Sequence, residues 1–280
     1  MATFTAPDGT TLAYRVTGSG DPLVCLPGGP MRASAYLGDL GGLSAHRSLI
    51  VLDARGTGES ERPADPATYR CDRQVGDVEA LRRHLGLDRM DLLAHSAAGN
   101  LAIQYAARFP ERIARLALIT PNGRAVGLPS SDDDYRASAL LRKDQPWGPA
   151  MIAALDAVLA GEAEEEDWEA IHPLFYGRWN DTARAHAATD ARQRNEEAAE
   201  LFHSEGAYDP VGTRADLVAL EAPVLVLAGE LDGGPSPRRA AEIAEVFSNG
   251  TCVVQHGAGH YPWLDDATRF VRIVERFLAG

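Results

Sequence analysis

Lysine is almost absent from this chain, with Lys143 the single one, and the formal net charge is −13. That sign argues against a nucleic-acid partner, because binding phosphates requires a positive surface. The three cysteines, Cys25, Cys71 and Cys252, are odd in number and lack metal-ligand spacing. They exclude a disulfide framework and suggest no metal site. Cys25 and Cys252 lie inside apolar runs and are expected as buried thiols. No apolar run is long enough to span a bilayer. Met1 to Asp8 shows no basic segment followed by an apolar stretch, so no signal peptide is expected. The expectation is a cytoplasmic protein with no membrane partner and no cofactor, and its oligomeric state is not written in the sequence. What is present is 45% hydrophobic residues over 280 positions. That content suits one α/β domain with an insertion better than two equal domains.

Strand-like and helix-like segments alternate along the first part of the chain. Asp8-Gly9 separates two short β-prone runs and predicts a hairpin. Apolar strands follow at 22–26 and 48–52, ending in Pro27-Gly28-Gly29-Pro30 and in Asp53-Ala54-Arg55-Gly56-Thr57-Gly58. Asp72 is placed to cap a helix carrying Val75, Val78, Leu81 and Leu85. Further strands are expected at 90–94 and 115–120. Such alternation implies parallel βαβ units with helices on both faces of one sheet. It stops near Asn122 and resumes near Leu217. Residues 122–214 carry 18 acidic against 9 basic residues and read as a helical cap inserted over the sheet. Residues 1–121 and 215–280 form the core. The acids of the cap fit solvated helix faces and first turns, or a rim that attracts a cationic substrate.

Ala94-His95-Ser96-Ala97-Ala98-Gly99 joins an apolar strand to a helix-like run, with small residues two before and two after Ser96. This is the pattern of a nucleophile elbow, in which only small side chains permit the sharp strand-to-helix turn. Its two glycine positions hold alanine. The partners follow in the required order, Ser, then Asp, then His. Asp232 follows an apolar strand at 223–229, and His260 follows another at 252–256. Both fall just past carboxyl ends of strands, where open α/β sheets build their sites. In this reading Ser96 is the nucleophile, His260 the base and Asp232 the group that orients it. The backbone N–H of Ala97 and one from Gly29 would bind the oxyanion, with Gly28 and Pro30 beside the substrate. Glu230 competes with Asp232 but lies nearer the strand. His256 and His260 do not form a helical zinc pair, because a glycine-rich loop separates them. His95 is expected to order the elbow, and Asp53 and Arg55 to hold a structural turn.

Leu-Pro-Gly-Gly-Pro at 26–30, Asp-Ala-Arg-Gly-Thr-Gly-Glu-Ser at 53–60, the serine elbow, Phe-Pro-Glu-Arg-Ile at 109–113, Gly-Glu-Leu-Asp at 229–232 and Gly-His at 259–260 together resemble the α/β-hydrolase superfamily, within it the proline iminopeptidase branch. The resemblance covers everything outside the cap. It implies an α/β-hydrolase fold and a mostly parallel sheet. It also implies a cofactor-free serine hydrolase that cleaves a small ester, lactone or amide, or a short peptide with N-terminal proline. Asn195-Glu196-Glu197 is similar to a segment that supplies an amine-binding glutamate, so Glu196 is a candidate anchor. The chain departs from the branch at Pro27 and Met31 in the oxyanion loop, at Ala94 and Ala98, and at Gly233, where some members carry a glutamate. Two alternatives stay open on the same scaffold: an acyltransferase, cyclase, lyase or perhydrolase using the same serine, and a non-catalytic ligand-binding relative.

Overall fold

The computed structural model describes residues 1–280. Eight strands form one sheet: β1 (Ala2–Thr5), β2 (Thr11–Thr17), β3 (Pro22–Leu26), β4 (Ser48–Leu52), β5 (Met90–His95), β6 (Ile113–Ile119), β7 (Val224–Gly229) and β8 (Gly250–Gln255). Their spatial order is β1-β2-β4-β3-β5-β6-β7-β8. The β1–β2 and β2–β4 pairs are antiparallel, and all others are parallel. The expected hairpin forms at Asp8-Gly9, with the Asp8 carboxylate accepting the Thr10 N–H. The order reverses at β3, which lies between β4 and β5. The loops leaving β3 and β5 therefore diverge from adjacent strands and open a crevice between them, the position where α/β sheets bind ligands.

Helices α1 (Val75–His84), α2 (Ala98–Arg108) and α10 (Pro237–Ala244) share one apolar core with the sheet. On the other face Trp263, Phe270, Val274 and Leu278 pack against Leu23, Leu49, Leu93 and Ile119. They belong to α11 (Pro262–Asp265) and α12 (Ala267–Leu278). The uniformly buried β7 reads as a continuous apolar run because both its faces are covered. Between β6 and β7 lie α3 (Asp132–Leu140), α4 (Gly148–Ala160), α5 (Glu165–Ala170), α6 (Asp181–Ala187), α7 (Asp190–Gln193), α8 (Glu196–Phe202) and α9 (Pro210–Leu217). The acids at 132–134 and 165–167 occupy the first turns of α3 and α5, where they complement the helix dipole.

Two local expectations differ from the structure. Asp72 does not cap α1, because its carboxylate is drawn to the Arg70 guanidinium at 2.6 Å and a 3-10 turn precedes the helix. Cys252 is half-buried, since β8 is an edge strand with one neighbour, whereas Cys25 and Cys71 are buried.

The turn after β4 is built as a polar clamp. Asp53 accepts the Ser34 N–H at 2.9 Å and the Glu59 N–H at 3.1 Å. Arg55 donates two parallel bonds to Asp77, at 2.8 and 2.6 Å, and reaches Asp8 at 2.7 Å. The Arg55 and Asp77 side chains are only 2% and 4% exposed. Removing one member of such a pair leaves an uncompensated buried charge. Arg55→Ala is therefore expected to lower the unfolding free energy by about 3–5 kcal/mol, read as a drop in the urea midpoint.

Candidate active site

Ser96 stands between β5 and α2 with φ +54°, a left-handed conformation that a non-glycine residue adopts at a cost of about 1–2 kcal/mol. The turn is held by its own backbone. The Ser96 N–H donates to the Ile119 carbonyl, and its carbonyl accepts the N–H groups of Gly99 and Asn122. Ala94 and Ala98 are buried on either side, so two methyl groups are accommodated where the motif prefers glycine. Across the crevice, Gly28 packs directly on the elbow. A Cβ at Gly28 would lie 2.6 Å from the His95 carbonyl and 2.8 Å from Ser96 Cβ, closer than any real contact.

Asp232 and His260 meet at the same edge. His260 Nδ1 is 2.7 Å from Asp232 Oδ2, and both side chains are buried. The other carboxylate oxygen accepts the Gly234 N–H at 2.9 Å. The carboxylate fixes Nδ1 as the protonated nitrogen, leaving Nε2 free to accept a proton. The His260 carbonyl accepts bonds from His95 Nε2 and from the Thr120 hydroxyl, each at 3.0 Å. The elbow is thus tied to the histidine loop through the residue next to Ser96. No hydrogen bond joins the Ser96 hydroxyl to the His260 ring in this structure.

The N–H groups of Gly29 and Ala97 donate to no protein acceptor. The Gly28 N–H, by contrast, donates to the Tyr36 hydroxyl at 2.7 Å. Glu196 lies in the first turn of α8 with its side chain 73% exposed, 3.8 Å from Arg194, and forms no bond to any of these groups. Gly233 abuts α3. A Cβ there would meet Tyr135 Cα at 2.9 Å, so no acidic side chain fits at that position. Glu230 is half-exposed and accepts the Gly257 N–H, with His256 beside it.

Several contributors carry no sequence signal. The His260 N–H donates to the Phe175 carbonyl, between α5 and α6, at 2.8 Å. Asp265 accepts three backbone N–H groups, from Gly177, Arg178 and Gly259, and so rivets the segment before α6 to the histidine loop. Arg142, buried in the turn just past α3, donates to the Leu231 carbonyl beside Asp232 and to the Tyr176 carbonyl. Burial pulls its guanidinium pKa down, and the nearby Asp232 charge opposes that shift. The segment around α7 also pairs with the loop after β3, since the Ala33 N–H donates to the Gln193 carbonyl and the Asn195 N–H to the Met31 carbonyl. Of the aromatic residues between β6 and β7, Phe175 approaches the His260 ring at 6.1 Å and Tyr176 stacks on Tyr261, while Trp168 is exposed.

A model of the alpha/beta hydrolase fold family matches residues 21–267. The chain belongs to that family. It is 24% identical to a proline iminopeptidase of Clostridioides difficile over 280 residues, covering 95% of this chain and 93% of that protein. It is 31% identical over 150 residues to the human (lyso)-N-acylphosphatidylethanolamine lipase, a match that spans 47% of this chain and 44% of the lipase. Among solved structures it superposes on the esterase RhEst1 from Rhodococcus sp. ECU1013 with a TM-score of 0.74 and 25% identity, covering 100% of this chain and 98% of that one. This α/β-hydrolase therefore has both peptidase and esterase relatives. No helix of the structure is long and apolar enough to cross a membrane.

Proposed function

We propose that this α/β-hydrolase is a serine esterase or lactonase that works through an acyl-enzyme on Ser96 under a helical cap formed by residues 122–214. The observation that carries the reading is the short Asp232–His260 bond at the sheet edge that also presents Ser96 on a strained elbow. Ser96 Oγ attacks the carbonyl carbon, and its proton passes to His260 Nε2. The oxyanion accepts bonds from the unengaged Gly29 and Ala97 N–H groups, each worth roughly 3 kcal/mol in the transition state. The imidazolium then protonates the leaving alkoxide, and a water molecule deprotonated by the same ring releases the acid. The Ala97 N–H lies at the start of α2, so the helix dipole favours the developing negative charge.

An ester or lactone fits better than a peptide with a free amino terminus. An amine needs a desolvated carboxylate, and Glu196 is exposed while Gly233 is walled off by Tyr135. We assign the acyl group to a small space beside Ala97, a cavity lined by neither Ser96 nor His260 themselves. A cavity of about 20 Å³ borders Pro30, Ala97, Met31, Leu101 and Phe202, roughly the space of one water-sized group. The kcat/KM for p-nitrophenyl acetate is accordingly expected to exceed that for the octanoate at least tenfold, with N-terminal proline anilides inert. A fluorophosphonate probe is expected to add one phosphonyl group to the peptide containing Ser96. Labelling elsewhere, or none, counts against the nucleophile.

A further inference from the structure

Beneath the site lies a cluster of rings that the hydrolytic steps do not use: Tyr36, His95, His186, Tyr176, Tyr261 and Trp263. Tyr36 is at its centre. Its hydroxyl is 2.7 Å from the Gly28 nitrogen and 2.7 Å from His95 Nδ1. His95 Nε2 is 3.0 Å from the His260 carbonyl.

The chemistry of these groups fixes every proton. A carbonyl oxygen only accepts, so His95 Nε2 must donate to it. His95 is fully buried, and burial holds its pKa well below the ordinary value, with the neighbouring His260 adding to the shift. The ring is neutral, so its Nδ1 carries a lone pair and must accept. The Tyr36 hydroxyl has a single proton and gives it to that nitrogen, which leaves its oxygen to accept the Gly28 N–H. The direction is therefore unique: Gly28 N–H to Tyr36 oxygen, Tyr36 O–H to His95 Nδ1, and His95 Nε2–H to the His260 carbonyl.

We infer that Tyr36 is a positioning residue whose one hydroxyl holds both halves of the catalytic machinery, the oxyanion loop through Gly28 and the His260 loop through His95. The Gly28 N–H is sequestered by Tyr36, and the Gly28 carbonyl accepts the Arg32 N–H at 3.2 Å. Both peptides flanking Gly28 are thereby fixed, and the second of them carries the Gly29 N–H that is left to face substrate.

The tyrosine is held from several sides. The Arg32 guanidinium carbon lies 4.4 Å above its centroid, and Asp190 from the cap neutralises that arginine at 3.0 Å. His186 Nε2 donates to the Tyr36 carbonyl at 3.1 Å, its Nδ1 accepting the Tyr176 hydroxyl proton at 2.7 Å. Burial, then the Arg32 charge, pull the His186 pKa down to about 4, so this ring too is neutral around pH 7. A rigid donor frame of this kind acts on the transition state, because the substrate carbonyl becomes an oxyanion only there.

This inference rests on Ser96 being the nucleophile, and the test separates the two. Tyr36→Phe keeps the ring and removes only the hydroxyl. It is expected to lower kcat for p-nitrophenyl acetate tenfold or more while KM stays within twofold. Tyr261→Phe, in the same cluster but with its hydroxyl 3.5 Å from Arg32, is expected to retain kcat within threefold. A smaller loss in Tyr36→Phe, a loss carried by KM, or an equal loss in Tyr261→Phe overturns the assignment. The second measurement uses the unmodified protein and does not depend on the variant folding. Nitrogen NMR of the His95 ring between pH 6 and 8 is expected to show a protonated Nε2 and an unprotonated Nδ1, and the opposite tautomer overturns the proton order. Full turnover in Ser96→Ala would instead remove the hydrolytic reading on which this one stands.

Discussion

Ser96→Ala is expected to lower kcat toward small esters by on the order of 10⁶-fold, the scale seen when a hydrolase loses its nucleophile. Folding should be unaffected. Alanine keeps the Cβ and the left-handed backbone at φ +54°, so the strain of the elbow is the same with and without the hydroxyl. Its backbone bonds to Ile119, Gly99 and Asn122 do not involve the side chain. The thermal midpoint should therefore remain within about 2 °C of the parent, roughly the shift that a 1 kcal/mol change produces in a domain of this size. Activity retained within a hundredfold would mean that the serine is not the attacking group.

Asp232→Asn should cost about 10⁴ in kcat, for a reason specific to this loop. One carboxylate oxygen accepts the Gly234 N–H at 2.9 Å, and the other faces His260 Nδ1 at 2.7 Å. An amide placed there keeps its oxygen on the Gly234 N–H and turns its NH₂ toward the imidazole. His260 Nδ1 must then accept, its proton moves to Nε2, and the ring no longer takes the serine proton. KM should change less than threefold, and phosphonylation of Ser96 should slow in parallel with kcat. A loss below a hundredfold would exclude Asp232 as the orienting acid and return attention to Glu230.

The sheet was legible because its central strands β3, β4 and β7 are short, nearly all apolar runs bounded by glycine and proline turns. The placement of Ser96 on a strand-to-helix turn, and of Asp232 and His260 just past strands, was legible because order and position after a strand are local properties. Asp53, Arg55 and His95 also take the structural roles read from their turns. Other features were not legible. Asp72 has the composition of a cap, but a guanidinium two residues away competes for its carboxylate more strongly than a helix N–H does. Gly28 was expected beside the substrate, yet only the partner of its N–H shows how it is held, and Tyr36 lies eight positions away. Glu196 sits in a segment like those that bind amines, but the exposure of its side chain follows from how α8 packs.

The sequence by itself determines an α/β fold with a mostly parallel sheet, because periodicity and turn chemistry act over a few residues, and its motifs carry the resemblance to the α/β-hydrolases. It also determines which residue types stand at the sheet's carboxyl edge. Only the tertiary structure decides what surrounds them. Tyr36 joins Gly28 to His95, the Phe175 carbonyl holds the His260 N–H, and Tyr135 fills the space beside Gly233. These contacts link segments that no local pattern relates. They arise when packing brings the helices between β6 and β7 onto the loops of the sheet and each buried polar group must find a partner.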